Sequence, residues 1–164
     1  MKGGGMRVEC FHVVESEEGI QKAIEARLVS QGGMTQRCVA LNHPALLVVS
    51  PRAAERGLKL PNSCRTVLLP GDAGALLTDT RAASAVSYGR SGRDSLTISS
   101  REPDRVWAAL QRELVTVGGH VVERQEFPIT LSKGQEELSA LAVAGALLLL
   151  GVPAENLSVP VFPA

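Results

Sequence analysis

The chain has 164 residues, 45% of them apolar but only 3% aromatic, with 17 Lys and Arg balanced by 17 Asp and Glu. One domain of this length buries roughly 68–70% of its unfolded surface, so a packed core is expected without metal or disulfide. Neutral charge and a pI near 6.8 argue against a dedicated nucleic-acid binder, which needs a basic stripe to displace counterions.

Residues 1–5, rich in glycine, read as a leader, with the fold starting at Met6; no apolar signal-peptide stretch precedes it. Arg7 to Val14 alternates as a strand, with Val8, Cys10, His12 and Val14 on one face. Ser16 stands where an N-cap belongs. Ile20, Ala23, Ile24 and Leu28 follow at helical spacing, and Gly32-Gly33 is expected to stop that helix. Three short apolar runs come next, Ala45 to Ser50, Thr66 to Leu69 and Ala85 to Tyr88, each closed by turn residues. Short helices are expected between them, near Pro51 to Arg56 and Ala73 to Thr80. Strand and short helix alternating at about 20-residue spacing point to βαβ units and a mostly parallel sheet.

The second half changes character. Ser95 to Ser99 reads as a strand paired to the preceding one across Arg90-Ser91-Gly92-Arg93. Asp104 is expected to cap a helix whose stripe is Val106, Trp107, Leu110, Leu114 and Val117, ended by Gly118-Gly119. His120 to Leu131 reads as an extended strand. The run Leu138 to Val152 is apolar on nearly every face, yet as a helix it spans only about 22 Å, short of a bilayer. Such a helix is expected to be covered all round, and a homo-oligomer through Leu138–Leu150 is one way to cover it. A Pro-rich tail, 159–164, closes the chain. The fold expected is α/β: one domain over 6–158, a mostly parallel Rossmann-like sheet with an antiparallel extension and flanking helices.

Several chemistries lack their residues. No Gly-x-x-x-x-Gly-Lys-Ser/Thr loop offers backbone donors and a lysine to ATP phosphates, and no Gly-x-Gly-x-x-Gly follows a strand. Neither a Gly-x-Ser-x-Gly elbow nor an HExxH is present. No cofactor or metal is therefore expected, and no catalytic residue is assigned. Cys10, Cys38 and Cys64 form no CxxC pair; they read as reduced thiols of a cytoplasmic protein. Cys10 and His12 share a strand face, but zinc wants one or two further ligands, and His43 and His120 stand in no supporting pattern.

Three residues remain as weak ligand-binding candidates. Asp72, in Pro70-Gly71-Asp72, stands where a strand becomes a helix, on the crevice side of an open α/β sheet; helix capping is its simpler role. Arg90 and Arg93 lie on a Gly/Ser turn, where two guanidiniums can grip a phosphate or carboxylate, or merely be solvated on a hairpin. Arg52, Arg56, Lys59 and Arg65 read as ordinary surface.

The stretch TVLLPGDAGALLTDTRAASAVSYG, Thr66 to Gly89, resembles the part of Mur ligase central domains where an Asn-x-Asp-Asp strand end precedes a helix and a Tyr-Gly strand. Further on, ITLSKGQEELSALAVAGALLLLGVP is similar to that family's Gly-x-His-Asn turn and its Ala-rich helix ending Leu-Gly-Val-Pro. The resemblance implies descent from ligases that join an amino acid to a carboxylate through an acyl phosphate, using ATP and magnesium. The departures are pointed. The phosphate loop is missing, Leu69 stands where the family's Asn contacts adenine, and only Asp72 remains of the acidic pair. Gln135-Glu136 falls near the His-Asn turn. Catalysis carries over at no position.

Taken together, the sequence reads as a non-catalytic cytoplasmic α/β binding or assembly module, expected to self-associate, with no nucleic-acid or membrane partner. The alternative is a binder of small anions such as phosphate, nucleotide or UDP-sugar, or a remnant of an ATP-dependent Mur-type ligase.

Overall fold

The computed structural model describes residues 10–31, 43–131 and 134–158. The expected leader, the tail, the Arg7–Glu9 start of the first strand and the Gly32-Gly33 stop lie outside the described residues. Seven strands form one sheet in the order β1-β2-β3-β4-β5-β6-β9: β1 (Phe11–Val14), β2 (Leu46–Val49), β3 (Ser63–Pro70), β4 (Arg81–Gly89), β5 (Leu96–Arg101), β6 (Arg105–Leu110) and β9 (Gln125–Thr130). A separate two-stranded ribbon pairs β7 (Leu114–Val115) with β8 (Val121–Val122). Strands β1 to β5 run parallel, and β5, β6 and β9 pair antiparallel. This is the α/β arrangement that the alternating apolar runs and turns predict: a mostly parallel sheet with an antiparallel extension.

Central strands show why. All four residues of β2 are buried, an unbroken apolar run of the kind a strand covered on both faces requires. One face of the sheet carries Leu46, Val48, Leu68, Val86 and Tyr88, and meets helices α1 (Ile20–Ser30) and α3 (Glu137–Leu149). The opposite face carries Leu47, Val49, Val67 and Leu69, and meets α2 (Pro51–Arg56) and the 3-10 segment Gly71–Thr78 through Ala53 and Ala73. Helix α2 begins as its sequence dictates: Ser50 caps it by accepting the Ala53 N–H, and Pro51 occupies the first turn. At α1 the capping is different from that expected of Ser16. The Glu15 carboxylate accepts the N–H groups of Ile20 and Gln21, so the helix starts at Ile20.

Four further expectations are corrected. The helix expected from Asp104 is β6 followed by β7. In β6 burial alternates, with Val106, Ala108 and Leu110 inside, which is a strand period, and pairing with β5 and β9 on both sides fixes it. Trp107 is consequently half-buried and not core; its indole N–H donates to Glu102, and Arg105 lies 5.5 Å from its ring. The hairpin expected across Arg90–Arg93 does not form, because β4 and β5 meet parallel and only at Tyr88↔Leu96 and Gly89↔Thr97. The strand expected over His120 to Leu131 is divided into β8 and β9. Cys10 is disulfide-bonded, while Cys64 is free and buried. Sequence spacing conceals such a pairing, since what it needs is two Cα atoms about 5.5–6 Å apart in space.

Helix α3 is covered by its own chain. Ser139, Ala140, Leu141, Ala142 and every residue from Ala144 to Leu149 are buried, with α1 on one side and strands β2 to β5 on the other. No helix among the described residues is long and apolar enough to cross a membrane.

Candidate functional site

The carboxyl ends of the parallel strands deliver a run of polar residues to one rim of the sheet. From β1 come Glu15 and Glu18, from β2 Ser50, from β3 Gly71 and Asp72, and from β4 Arg90; the N-terminus of α3 adds Glu136 and Glu137. The Glu18 carboxylate is tied down by three donors, the Ser50 hydroxyl and the backbone N–H groups of Ser16 and Arg52. Beneath this rim Tyr88 is fully buried and donates its hydroxyl to Val49 O at 2.6 Å. Burial above all, then the nearby charges of Glu18 and Asp72, hold that phenol protonated well above its ordinary range.

Across the gap between β4 and β5, two guanidiniums converge on one carboxylate. Arg90 Nη1 lies 3.0 Å from Glu137 Oε1, and Arg101 Nε reaches Oε1 and Oε2 of the same group at 3.1 and 2.8 Å. The Arg101 hydrogen bond is the largest influence lowering the Glu137 pKa, opposed by slight desolvation and helped by the Arg90 hydrogen bond. The group is therefore ionised at neutral pH. Beside it Arg52 pairs with Glu136 at 2.8 Å.

The loop leading from Arg90 is built, not slack. Asp94 is buried and accepts the Ser91 N–H at 3.1 Å. Its carboxylate lies against two glycine backbones: a Cβ on Gly71 would stand 1.8 Å from Asp94 Oδ1, and one on Gly89 2.5 Å from Oδ2. Neither position tolerates a side chain while Asp94 stays. Gln111 Nε2 holds Asp94 O at 2.7 Å, and Arg112 holds Arg93 O at 2.8 Å.

Of the residues singled out in the sequence, Arg90 belongs to the convergent cluster. Arg93 is exposed on the same loop, with its backbone N–H donating to Ser91 Oγ. Asp72 is exposed in the first turn of the 3-10 segment and makes no side-chain cap. Among the described residues no ion pair joins Asp72 to either arginine. Sequence reasoning missed Arg101 and Glu137. Arg101 lies two residues past the strand read as Ser95 to Ser99 and ends β5, Glu137 opens the apolar helix, and 36 residues with no linking motif separate the two.

Two other groupings are weaker. His43 Nδ1 and Ser63 Oγ are 2.9 Å apart on an exposed surface, with no described third group to orient the imidazole. That bond ties the loop before β2 to the start of β3. His12 is half-buried, which lowers its pKa, and its neighbour Cys10 is committed to a disulfide. Among the described residues no three His, Cys, Asp or Glu side chains are grouped to hold a metal.

No family model matches the chain, and no curated protein matches it either.

Proposed function

We propose that the protein is a non-catalytic α/β binding module that takes a small anionic ligand at the carboxyl edge of its sheet, between Arg90 and Arg101. The observation that carries this reading is the convergence of two guanidiniums, from the ends of β4 and β5, on a single carboxylate. Guanidinium forks match the planar oxygens of carboxylates and phosphates. Arg93, exposed on the same loop, can add a third positive charge, and Asp72 flanks the rim. The self-associating form of the reading loses the argument that suggested it, because α1 and the sheet of the same chain already cover the helix Glu137–Leu149.

A second reading, a Mur-type ligase remnant without its ATP engine, draws support from the elements in the two resembling stretches. Tyr88-Gly89 ends β4 as a Tyr-Gly strand should, and α3 is followed by Leu150-Gly151-Val152-Pro153. Leu69 in place of the adenine-contacting Asn leaves this reading without a nucleotide contact.

Thermal-shift titration with inorganic phosphate, a UDP-sugar and magnesium-ATP tests both. Ligand at 100 times its Kd stabilises by about 2.7 kcal/mol, several degrees for a domain of this size. A shift that disappears in Arg90→Ala/Arg101→Ala is the expected result. A flat response to all three overturns the anion site and leaves the ligase remnant, which has no nucleotide contact, as the remaining reading.

A further inference from the structure

The seat between Arg90 and Arg101 is already filled, and by a group of this same chain. Glu137 is the first residue of α3, 23% exposed in its side chain, while Arg90 and Arg101 remain 53% and 54% exposed. Arg90 Nη1 donates to its Oε1, and Arg101 Nε to both of its oxygens. We infer that Glu137 is an internal stand-in for the ligand: its carboxylate closes the anion seat in the free protein and swings out when a phosphate-bearing ligand enters. This inference rests on the anion site proposed above.

Three observations carry it. Charge is the first. Two guanidiniums share one carboxylate, which leaves one positive charge without a partner in the cluster, whereas a phosphate monoester dianion balances both. Mobility is the second. The backbone of α3 is anchored by its buried residues from Ser139 onward, so Glu137 can leave by rotating its side chain, with no helix to unfold. The third is cost. Ion pairs as exposed as these contribute little to stability, so a ligand displaces little in taking their place. The seat also lies at the N-terminus of α3, the positive end of its dipole.

The test is calorimetric titration of inorganic phosphate, at low ionic strength and pH 7.5, into the full chain and two variants at this position. Glu137→Gln keeps the shape and removes the charge; Glu137→Ser keeps a good helix-start residue and empties the seat, guarding against misfolding of the first. Circular dichroism verifies the fold of each. Both variants are expected to bind phosphate about two- to five-fold more tightly than the parent, the gain that release of an exposed ion pair allows, and the gain is expected to vanish when Arg90→Ala and Arg101→Ala are added. Binding by the parent that is equal or tighter than that of both variants overturns the stand-in role and leaves the anion site intact. No binding by any of the three overturns the site itself, and with it this inference.

Discussion

Tyr88 shows how one side chain serves both the core and the rim. Its ring fills the face beneath α3 and its hydroxyl satisfies Val49 O at the end of β2. Tyr88→Phe keeps the ring and removes a single buried hydrogen bond, so a loss of about 0.5–1.5 kcal/mol is expected from urea denaturation. Cys64 makes a different prediction. Burial alone pushes its thiol up to about 11 from an ordinary value of 9.0. The folded chain thus holds a proton that the unfolded chain releases, and the stability this represents is full below pH 9 and lost as pH rises from 9 through 11. At pH 8 the native thiol is expected to react with a disulfide reagent only at the rate of unfolding. Gly71 is the residue most exposed to a steric test. Gly71→Ala forces the Asp94 carboxylate from its place and is expected to cost about 1–3 kcal/mol. Adding Asp94→Ala should recover part of that loss, so the double variant falls short of the sum of the singles.

Elements were legible where one period ruled. The runs that became β2, β3 and β4 are apolar and short, with turn residues at their ends, and α2 starts where Ser50-Pro51 predicts. The segment Arg105–Leu110 carries two periods at once: Val106, Trp107 and Leu110 satisfy helical spacing, while Val106, Ala108 and Leu110 satisfy strand spacing. Only the neighbouring strands, β5 and β9, decide between them, and pairing is not written in local periodicity. The candidate site was half legible for the same reason. Arg90 advertises itself on a Gly/Ser turn, whereas Glu137 acquires meaning only when α3 sets its first residue beside the ends of β4 and β5. How closely α3 lies on the sheet is visible at Gly145, where a Cβ would meet Leu68 and Leu96 methyls at 3.1 and 3.2 Å. Both leucines are buried and have little room to give. Gly145→Val, larger still and β-branched, is expected to cost at least about 2 kcal/mol in denaturant unfolding; a neutral result would mean the helix is free to move away.

At the scale of the whole molecule, the parallel half of the sheet and its antiparallel extension are joined by little backbone. Only two residue pairs connect β4 to β5, while β3 and β4 share seven. What unites the halves is α3, which lies against β2, β3, β4 and β5 together and closes the core that also includes Val106, Phe127 and Ile129. The proposed anion seat straddles this junction, with Arg90 from one half, Arg101 from the other and Glu137 from the helix that binds them. Site geometry and global stability therefore depend on the same packing. Leu147→Ala, at a residue 1% exposed in that core, is expected to cost about 2–5 kcal/mol. Hydrogen exchange discriminates the mechanism. If α3 is the joint, amides of β2 to β4 and of β5 and β6 lose protection together in the variant, as one cooperative unit. If the halves are held independently, exchange in β6 and β9 stays at the parent level while the parallel half opens, and the convergence of Arg90 and Arg101 would owe nothing to the helix between them.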